Sequence, residues 1–303
     1  MTNKIKITFL GTSDAVPSVS RNHSAILLNY QGENILIDCG EGTQRQFRKA
    51  GLNPCKITRL LITHWHGDHV LGIPGILQTL AFSNYNKTLY IYGPKGTKKF
   101  MKEMFKVFIF SGKLKLNIEE VSGKFLNEKD FYLESRAMTH GTPCNAYNFI
   151  IKGQIRINKE KLKKMKVPMG IHLKKLKQGK DVIYKGKKYK AKDLTFKEGD
   201  KKISVVLDTS LNKSIGPFVK NSDLLVCEST FDSEMREKAK AYRHLTVSQA
   251  AQIAKKAKVK KLFLTHISQR YEKNQKKTLG EARKIFKNSF LAKDLDVVEI
   301  SKK

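Results

Sequence analysis

The segment 63–69 concentrates side chains that could carry out metal-dependent chemistry. Three histidines and one aspartate fall within six positions: His64, His66, Asp68 and His69. A protein core holds such titratable groups only when they are paired or bound to a ligand, because their desolvation is costly. Imidazole nitrogens are common zinc ligands, and Gly67 permits a tight loop that aims neighbouring side chains at two ions. The segment therefore predicts a two-metal hydrolase site.

Three more residues could complete such a site: His140, Asp208 and His266. Two ions about 3.5 to 4 Å apart need further ligands, one of which bridges them. Each of the three is ambiguous by itself. A single histidine is more often a core residue, and an aspartate in Leu-Asp-Thr-Ser could begin a turn or cap a helix. Together with the first cluster they form a sufficient ligand set.

Short apolar runs directly precede three of these residues. The runs are 60–63 before His64, 205–207 before Asp208 and 263–265 before His266. Runs of this length that are rich in apolar and β-branched residues are typical of buried strands. Because strands provide rigid positions for functional side chains, we expect these strand ends to carry the metal site.

The rest of the chain alternates between strand-like and helix-like patterns. Strands are predicted at 6–10, 24–30, 34–38, 59–63, 203–207, 224–227 and 261–264. Helices are predicted at 43–50, 75–82, 95–107, 247–258 and 279–290. With 303 residues the chain can bury a large core, and the mixed order predicts one α/β catalytic domain over 1–303.

The charge of the chain indicates a polyanionic partner. Lys and Arg number 59 against 27 Asp and Glu, a formal net charge of +32. Solubility does not require such an excess, so nucleic acid is the natural partner, although compositional bias of the source genome could produce the same surface. The segment 152–202 holds 19 Lys or Arg and 5 Asp or Glu, a net charge of +14. We expect a basic insertion there that projects from the domain and contacts phosphates, with a small hairpin around 182–189; a solvated insertion without a partner is the alternative.

Cysteine spacing and hydropathy indicate the compartment. The four cysteines, Cys39, Cys55, Cys144 and Cys227, are widely spaced and form no CxxC pair, which favours buried thiols over a disulfide framework or a zinc ribbon. No stretch approaches the roughly 20 apolar residues that span a bilayer, and the N-terminus enters a strand-like pattern without a signal-peptide profile. The sequence therefore predicts a soluble, cytoplasmic protein without a membrane partner.

The complete set of motifs resembles the metallo-β-lactamase superfamily. The resemblance rests on His-Trp-His-Gly-Asp-His at 64–69, followed by His140, Asp208 and His266. It implies a four-layer αββα sandwich that binds metals at one edge of its sheets. Within that superfamily, the segments 9–13, 38–46, 137–140 and 227–230 resemble ribonuclease Z, the tRNA 3′-processing endonuclease.

The resemblance implies two zinc ions per subunit, with manganese or magnesium as alternatives. The implied ligands are His64, His66 and His140 for one ion, Asp68, His69 and His266 for the other, and Asp208 as the bridge. Two cations lower the pKa of a water between them and neutralise charge on the scissile phosphate.

Catalytic roles also follow from the resemblance. Asp68 orients the attacking water or takes its proton, and His244 donates a proton to the departing 3′-oxygen while Glu228 tunes it. The implied products are a tRNA ending in 3′-OH and a trailer with a 5′-phosphate. The chain departs from the family pattern at Cys227, where a histidine is usual, and at Leu245, where a small residue is usual. Neither departure removes a catalytic group.

RNA contacts are implied at two places. The loop 17–22 keeps Arg21 and Asn22 of a family loop near the cleavage site, with Val19 where a lysine is often found. The basic insertion falls where family members carry an arm for the tRNA elbow, and 167–171 resembles the tip of that arm. Four lysines after the tip fit phosphate contacts: Lys174, Lys175, Lys177 and Lys180. Family members act as homodimers in which the arm of one subunit grips RNA cut by the other.

Three other classes of protein remain open. A thioester or lactone hydrolase would use the same metals but would need neither the charge nor the pair of His244 and Glu228. A small-phosphodiester hydrolase fits the site better and would show no preference for folded RNA. A non-catalytic nucleic-acid binder would fit the charge but would leave the complete ligand set unexplained.

Overall fold

A computed structural model describes residues 4–108, 114–167, 170, 172–184 and 186–301. The chain folds into two compact units. The first comprises Met1–Asn127, Leu133–Phe149 and Lys202–Lys303, and the second comprises Glu128–Tyr132 and Ile150–Lys201. Within the described residues, no helix combines the length and the apolar character that crossing a membrane requires.

The first unit begins with a sheet in the order β18-β1-β2-β3-β4-β5-β6. Its strands are β1 (Lys4–Gly11), β2 (Ala25–Tyr30), β3 (Glu33–Ile37), β4 (Arg59–Leu61), β5 (Thr88–Gly93), β6 (Lys115–Glu120) and, from the end of the chain, β18 (Val297–Ser301). Strands β3 to β6 run parallel, and Ile37 pairs with Leu61. The carboxyl ends of β3 and β4 therefore lie side by side, which brings together the residues that follow them.

Helices cover the outer face of this sheet. They are α1 (Thr43–Lys49), α2 (Gly67–Val70), α3 (Ile73–Phe82) and α4 (Thr97–Val107). Phe47, Ile76 and Leu80 on the helices form one buried cluster with Leu27 and Leu36 on the strands. Since these strand residues alternate with others that are buried on the opposite face, the sheet is covered on both sides.

A second sheet has the order β17-β16-β15-β14-β9-β8-β7. Its strands are β7 (Gly123–Asn127), β8 (Phe131–Met138), β9 (Cys144–Ile151), β14 (Lys201–Val206), β15 (Leu224–Glu228), β16 (Leu262–Thr265) and β17 (Ser289–Leu291). Strands β14 to β17 are parallel. The helices of this half are α8 (Ile215–Val219), α9 (Arg236–Ala241), α10 (Val247–Lys256) and α11 (Gln275–Ile285). Helix α10 begins with a capping box between Thr246 and Gln249 and packs its apolar face into a second core.

The two sheets face each other. Phe9 stacks on Phe263 with ring centroids 5.6 Å apart, and the Tyr147 hydroxyl donates to the Ile62 carbonyl at 2.7 Å. The order of layers is helix, sheet, sheet, helix, which confirms the predicted αββα architecture. One predicted boundary is wrong: the helix predicted at 279–290 ends at Ile285, and Ser289–Leu291 forms a strand instead.

The second unit has a small core of its own. It contains β10 (Ile155–Ile157), α5 (Lys159–Lys164), α6 (His172–Lys177), β11 (Val182–Tyr184), β12 (Lys187–Tyr189), α7 (Ala191–Leu194) and β13 (Thr195–Lys197). Strands β11 and β12 pair as an antiparallel hairpin, which confirms the predicted hairpin. Leu162, Leu176, Tyr189 and Leu194 are buried together beneath the lysines. The basic segment is therefore a folded element rather than an unstructured insertion.

Candidate metal centre and catalytic cavity

The predicted ligands meet where strands of both sheets end. His64 follows β4, Asp208 follows β14 and His266 follows β16, as their positions after apolar runs predicted. His66 precedes the short helix α2, which carries Asp68 and His69. Asp68 and His69 lie on a helix, and each other ligand lies within three residues of the end of a strand or the start of a helix, so strand register largely sets where the ligands are placed.

Seven residues form two groups that could each hold a metal ion. The groups are His64, His66, His140 and Asp208, and Asp68, His69, Asp208 and His266, with ligand atoms in each group within 4.8 Å of one another. Asp208 belongs to both: its Oδ2 lies 3.5 Å from Nε2 of His64 and 3.4 Å from Nε2 of His69. Its Oδ1 lies 3.2 Å from Nε2 of His266. The structure thus brings together all seven residues that the sequence singled out.

Two buried polar atoms without a hydrogen bond indicate that the groups suit a cation. Nε2 of His64 and Oδ1 of Asp208 are buried, and neither makes a hydrogen bond to any residue that the structure describes, although each lies within 3.5 Å of a group of the cluster. A buried polar atom without a hydrogen bond is costly, and a metal ion would satisfy both atoms. The donor set of imidazole nitrogens and carboxylate oxygens is that of zinc sites.

Asp38 is a functional residue that the sequence did not reveal. Its Oδ2 lies 2.6 Å from Nδ1 of His69, and its carboxylate accepts hydrogen bonds from the backbone N–H and the hydroxyl of Thr63, each at 2.7 Å. A carboxylate behind a histidine fixes the tautomer that leaves Nε2 free for a metal. The nearest signal was the position of Asp38 at the end of a predicted strand.

Other histidines are oriented in the same way through Nδ1. The Thr230 hydroxyl lies 2.8 Å from Nδ1 of His266, and the Arg243 carbonyl lies 3.1 Å from Nδ1 of His140. With Nδ1 engaged, Nε2 of each ring is left to point at the cluster. Positions 230 and 243 are distant in sequence from the ligands they orient, so tertiary structure alone reveals this role.

The charges of the cluster favour ionised carboxylates. Burial by itself would raise the pKa of Asp208, but the neighbouring His266 and His69 hold it well below its usual range. The same balance lowers the pKa of Asp68. Burial, with the repulsion of other histidines, lowers the pKa of His64. Burial acts to lower the pKa of His69 and His266, but the neighbouring carboxylates outweigh it and raise both pKa values, so a metal ion would displace a proton from each of these rings when it binds.

A second ion pair lies beside the metal groups. Glu228 is fully buried, and its two carboxylate oxygens lie 3.1 and 3.2 Å from Nδ1 of His244. The same carboxylate accepts from the backbone N–H of Thr209 at 2.7 Å and the hydroxyl of Thr230 at 2.8 Å. Burial acts to lower the pKa of His244, but the charge of Glu228 outweighs it and raises that pKa to about 9. Glu228 therefore favours the protonated form of His244, from which the ring can donate a proton.

His244 and five of the seven predicted metal ligands line one cavity of about 340 Å³. Its walls include Asp14, Ala15, His66, Asp68, His140, Asp208, Thr230, Phe231, Lys238, Tyr242, His244, His266 and Arg270. Phe231, Lys238, Tyr242 and Arg270 are among the lining residues that the sequence did not single out as functional. Phe231 follows β15, Lys238 lies on α9, Tyr242 follows α9 and Arg270 follows β16. They become neighbours only in the folded chain.

The predicted RNA-binding residues divide into two groups. Arg21 is only 2% exposed, and its guanidinium donates to the Thr12 hydroxyl and the Ala292 carbonyl at 2.6 and 2.7 Å. The side chain therefore supports the loop from inside, and its contact with RNA stays a prediction. Asn22 is partly exposed and donates to the Glu41 carbonyl at 2.7 Å. Lys174, Lys175, Lys177 and Lys180 are exposed on or just after α6. Of the predicted arm tip, Pro168, Met169 and Ile171 lie outside the described residues.

Known proteins resemble the chain along its whole length. Residues 5–285 match the family model described as anti-Pycsar protein Apyc1. The chain is 35% identical over 302 residues to a ribonuclease Z of Nanoarchaeum equitans, a match that covers 98% of this chain and 93% of the relative. It is 38% identical over 299 residues to a ribonuclease Z of Methanothermobacter thermautotrophicus, covering 98% and 97%.

Solved structures agree with these sequence matches. The crystal structure of the short form of human tRNase Z has a TM-score of 0.70 and 26% identity, covering 97% of this chain and 98% of that chain. The metallo-β-lactamase fold protein YhfI from Bacillus subtilis also has a TM-score of 0.70, with 20% identity, and covers 99% of this chain and 100% of that chain. The latter likeness concerns the fold.

Two facing sheets between helices, with His and Asp groups at the strand ends, define a protein of the metallo-β-lactamase fold. Within that fold, the chain belongs to the ribonuclease Z family, whose members it matches at more than a third of positions over nearly their full length, and to the family that the Apyc1 model describes. The resemblance noted in the sequence is confirmed.

Proposed function

We propose that the protein is a two-zinc endoribonuclease that removes the 3′ trailer from precursor tRNA. One observation carries the proposal: His244, whose Nδ1 contacts the buried Glu228, lines the same cavity as residues of both metal groups. A hydrolase of thioesters or lactones would not need a proton donor such as His244 paired with Glu228. Membership of the ribonuclease Z family and the net charge of +32 support an RNA substrate.

The metal groups are assigned to two ions. His64, His66 and His140 would hold one, Asp68, His69 and His266 the other, and Asp208 would lie between them. Bound there, two zinc ions would neutralise charge on the scissile phosphate and lower the pKa of the attacking water. Nε2 of His64 and Oδ1 of Asp208, which are buried and make no hydrogen bond to a described residue, support this assignment.

The remaining steps belong to the protein's own side chains. Asp68, whose Oδ2 lies 3.2 Å from Nε2 of His266, orients the attacking water and takes its proton. The water oxygen forms a bond to phosphorus as the bond from phosphorus to the 3′-oxygen breaks. His244 donates its proton to that oxygen, and Glu228 stabilises the cation before transfer. The products are a tRNA with a 3′-OH and a trailer with a 5′-phosphate.

The second unit is proposed as an RNA-binding arm over 152–202. Its exposed lysines surround a buried core, so the charges are held on a folded surface rather than on a flexible tail. Lys174, Lys175, Lys177 and Lys180 would contact phosphates of the substrate, and Asn22 would contact RNA near the cleavage site. We further propose a homodimer in which the arm of one subunit grips RNA cut by the other. Four free thiols fit a reducing compartment, in support of a cytoplasmic location.

The first test is cleavage of an end-labelled precursor tRNA, with the cut mapped at nucleotide resolution. A single cut at the acceptor-stem end is expected, lost with a chelator and lost in Asp68→Ala. Asp223→Ala is a matched control, because Asp223 is a buried carboxylate that binds Lys260 at the start of β15, away from the cavity. Sedimentation of the purified protein measures the oligomeric state.

Hydrolysis of a small phosphodiester is the second candidate function. The match to a family model whose description differs from ribonuclease Z favours it, and the cavity could hold one nucleotide. Turnover of bis-p-nitrophenyl phosphate without any cut in precursor tRNA would select this candidate over the first.

A further inference from the structure

Four side chains form a shelf at one wall of the cavity, which we call the aromatic shelf: Phe231, Lys238, Tyr242 and Arg270. The rings of Phe231 and Tyr242 lie 6.5 Å apart between centroids, inclined by 32°. The Lys238 ammonium lies 5.8 Å from the centre of the Tyr242 ring, and the Arg270 guanidinium lies 5.8 Å from that of Phe231. The shelf therefore combines two aromatic rings with two cations.

The two rings differ in exposure. Phe231 is 4% exposed, so it forms the buried side of the aromatic shelf, whereas Tyr242 is 61% exposed. An exposed aromatic ring flanked by Lys and Arg is the combination with which proteins hold single-stranded nucleic acid: the ring stacks on a base and the cations contact the backbone. The cavity of about 340 Å³ has the size of a small-molecule site, which fits one nucleotide rather than a protein surface.

The position of the shelf relative to the acid identifies which nucleotide it faces. Phe231 lies 6.1 Å from His244 between ring centroids, and Tyr242 is two residues before His244 in the chain. In an in-line displacement the attacking and departing oxygens lie on opposite sides of phosphorus. Since His244 protonates the departing oxygen, the shelf lies on the side of the departing nucleotide.

We propose that the aromatic shelf is a base-stacking subsite for the nucleotide whose 3′-oxygen departs. Tyr242 stacks on its base, Phe231 supports Tyr242, and Lys238 and Arg270 contact neighbouring phosphates. This inference rests on the proposed function, because it needs an RNA substrate with a base at that position. The aromatic shelf would thus align the last nucleotide of the mature RNA with His244.

The test compares precursor RNAs with a normal and an abasic nucleotide at that position. For the normal RNA, Tyr242→Ala is expected to lower kcat/KM by about 5-fold to 150-fold, the usual effect of losing one base stack. The abasic RNA should be cleaved by the unaltered protein at that same reduced level, and Tyr242→Ala should reduce it no further. Tyr242→Phe, which keeps the ring, should restore cleavage of the normal RNA.

A direct measurement of stacking uses 2-aminopurine at the same position and the non-cleaving variant Asp68→Ala. Binding should quench the fluorescence, and adding Tyr242→Ala should remove the quenching. Phe82→Ala is the matched control, because Phe82 is 74% exposed at the end of α3 and does not line the cavity.

Two results would overturn the inference. If Tyr242→Ala lowered cleavage of the normal and abasic RNAs equally, the residue would act on the fold rather than on the base. If the unaltered protein cleaved both RNAs at the same rate, no base would be stacked, although the proposed function would stand. Absence of cleavage of either RNA would instead refute the proposed function, and the shelf with it.

Discussion

Replacing Asp38 with asparagine tests whether the carboxylate behind His69 sets the affinity of the metal centre. Asp38 is fully buried and has a φ of +56°, a conformation that asparagine tolerates, so the change adds little backbone strain. An amide oxygen can still accept from Thr63. The amide NH₂, however, then faces Nδ1 of His69, where the carboxylate oxygen now lies at 2.6 Å.

The expected loss follows from the tautomer of His69. An NH₂ group beside Nδ1 favours the ring form that carries its proton on Nε2, and a protonated nitrogen does not bind a metal. Loss of such an outer carboxylate usually weakens metal binding about 10-fold to 100-fold, or about 1.4 to 2.7 kcal/mol. That range agrees with about 1.5 to 3 kcal/mol for one hydrogen bond to a charged group.

Competition with a chromophoric chelator measures zinc affinity for the unaltered protein and for Asp38→Asn. Asp223→Asn is the control, because Asp223 is also a buried carboxylate that accepts a backbone hydrogen bond, at 2.9 Å from Lys202, but lies outside the cavity. Thermal unfolding of both apoproteins checks that the fold survives. Unchanged zinc affinity in a folded Asp38→Asn would refute the assigned role of this carboxylate.

Three further predictions concern the acid, the metal and the arm. Removing the charge of Glu228 with Glu228→Gln should lower the pKa of His244 from about 9. Because His244 donates only when protonated, the alkaline fall in kcat should move to lower pH. An unshifted pH profile of kcat would exclude His244 as the proton donor. Chelation should abolish cleavage and lower Tm, because zinc at 100 times its Kd stabilises the native state by about 2.7 kcal/mol. An unchanged Tm after chelation would argue against zinc binding. Replacing the four arm lysines with alanine should raise KM for precursor tRNA. The slope of log affinity against log salt concentration should fall in magnitude by up to about 0.9 per lost phosphate contact, while hydrolysis of bis-p-nitrophenyl phosphate stays constant. Equal loss of activity on both substrates would refute a role of these lysines in RNA binding alone.

The sequence reveals most about parts of the site that are local in the chain. The cluster at 64–69 is chemically unusual, and the apolar runs before Asp208 and His266 place those residues at strand ends. Period and composition also predict β1 to β4 and β14 to β16, but among the strands that they miss are β5, β8 and β9, and β9 is buried at all eight positions. Such inferences need no knowledge of distant contacts.

What the sequence missed depends on packing between distant segments. Strand β6 reads Lys-Leu-Asn-Ile-Glu-Glu at the end of its sheet, and its half-exposed residues carry too weak a pattern to predict a strand. The resemblance of loop 17–22 to a family loop implied an RNA contact for Arg21, but burial is a tertiary property, and the sequence did not indicate that this side chain is buried. The role assigned to Asp38 depends on its contact with His69, which lies 31 positions away in the sequence. The role assigned to Tyr242 depends on its place in the wall of the cavity.

The backbone at the metal centre shows what the geometry demands of the fold. Asp38, Asp208 and His266 each follow a strand, and each has a positive φ, of 56°, 45° and 55°. The left-handed region costs a non-glycine residue on the order of 1 to 3 kcal/mol, and it turns the chain sharply so that side chains from both sheets converge. Buried carboxylates and neighbouring imidazoles add a desolvation penalty at the same place. The apolar cores on either side of the sheets must therefore supply the stability that this edge lacks, and ions bound between the histidines would return part of it locally.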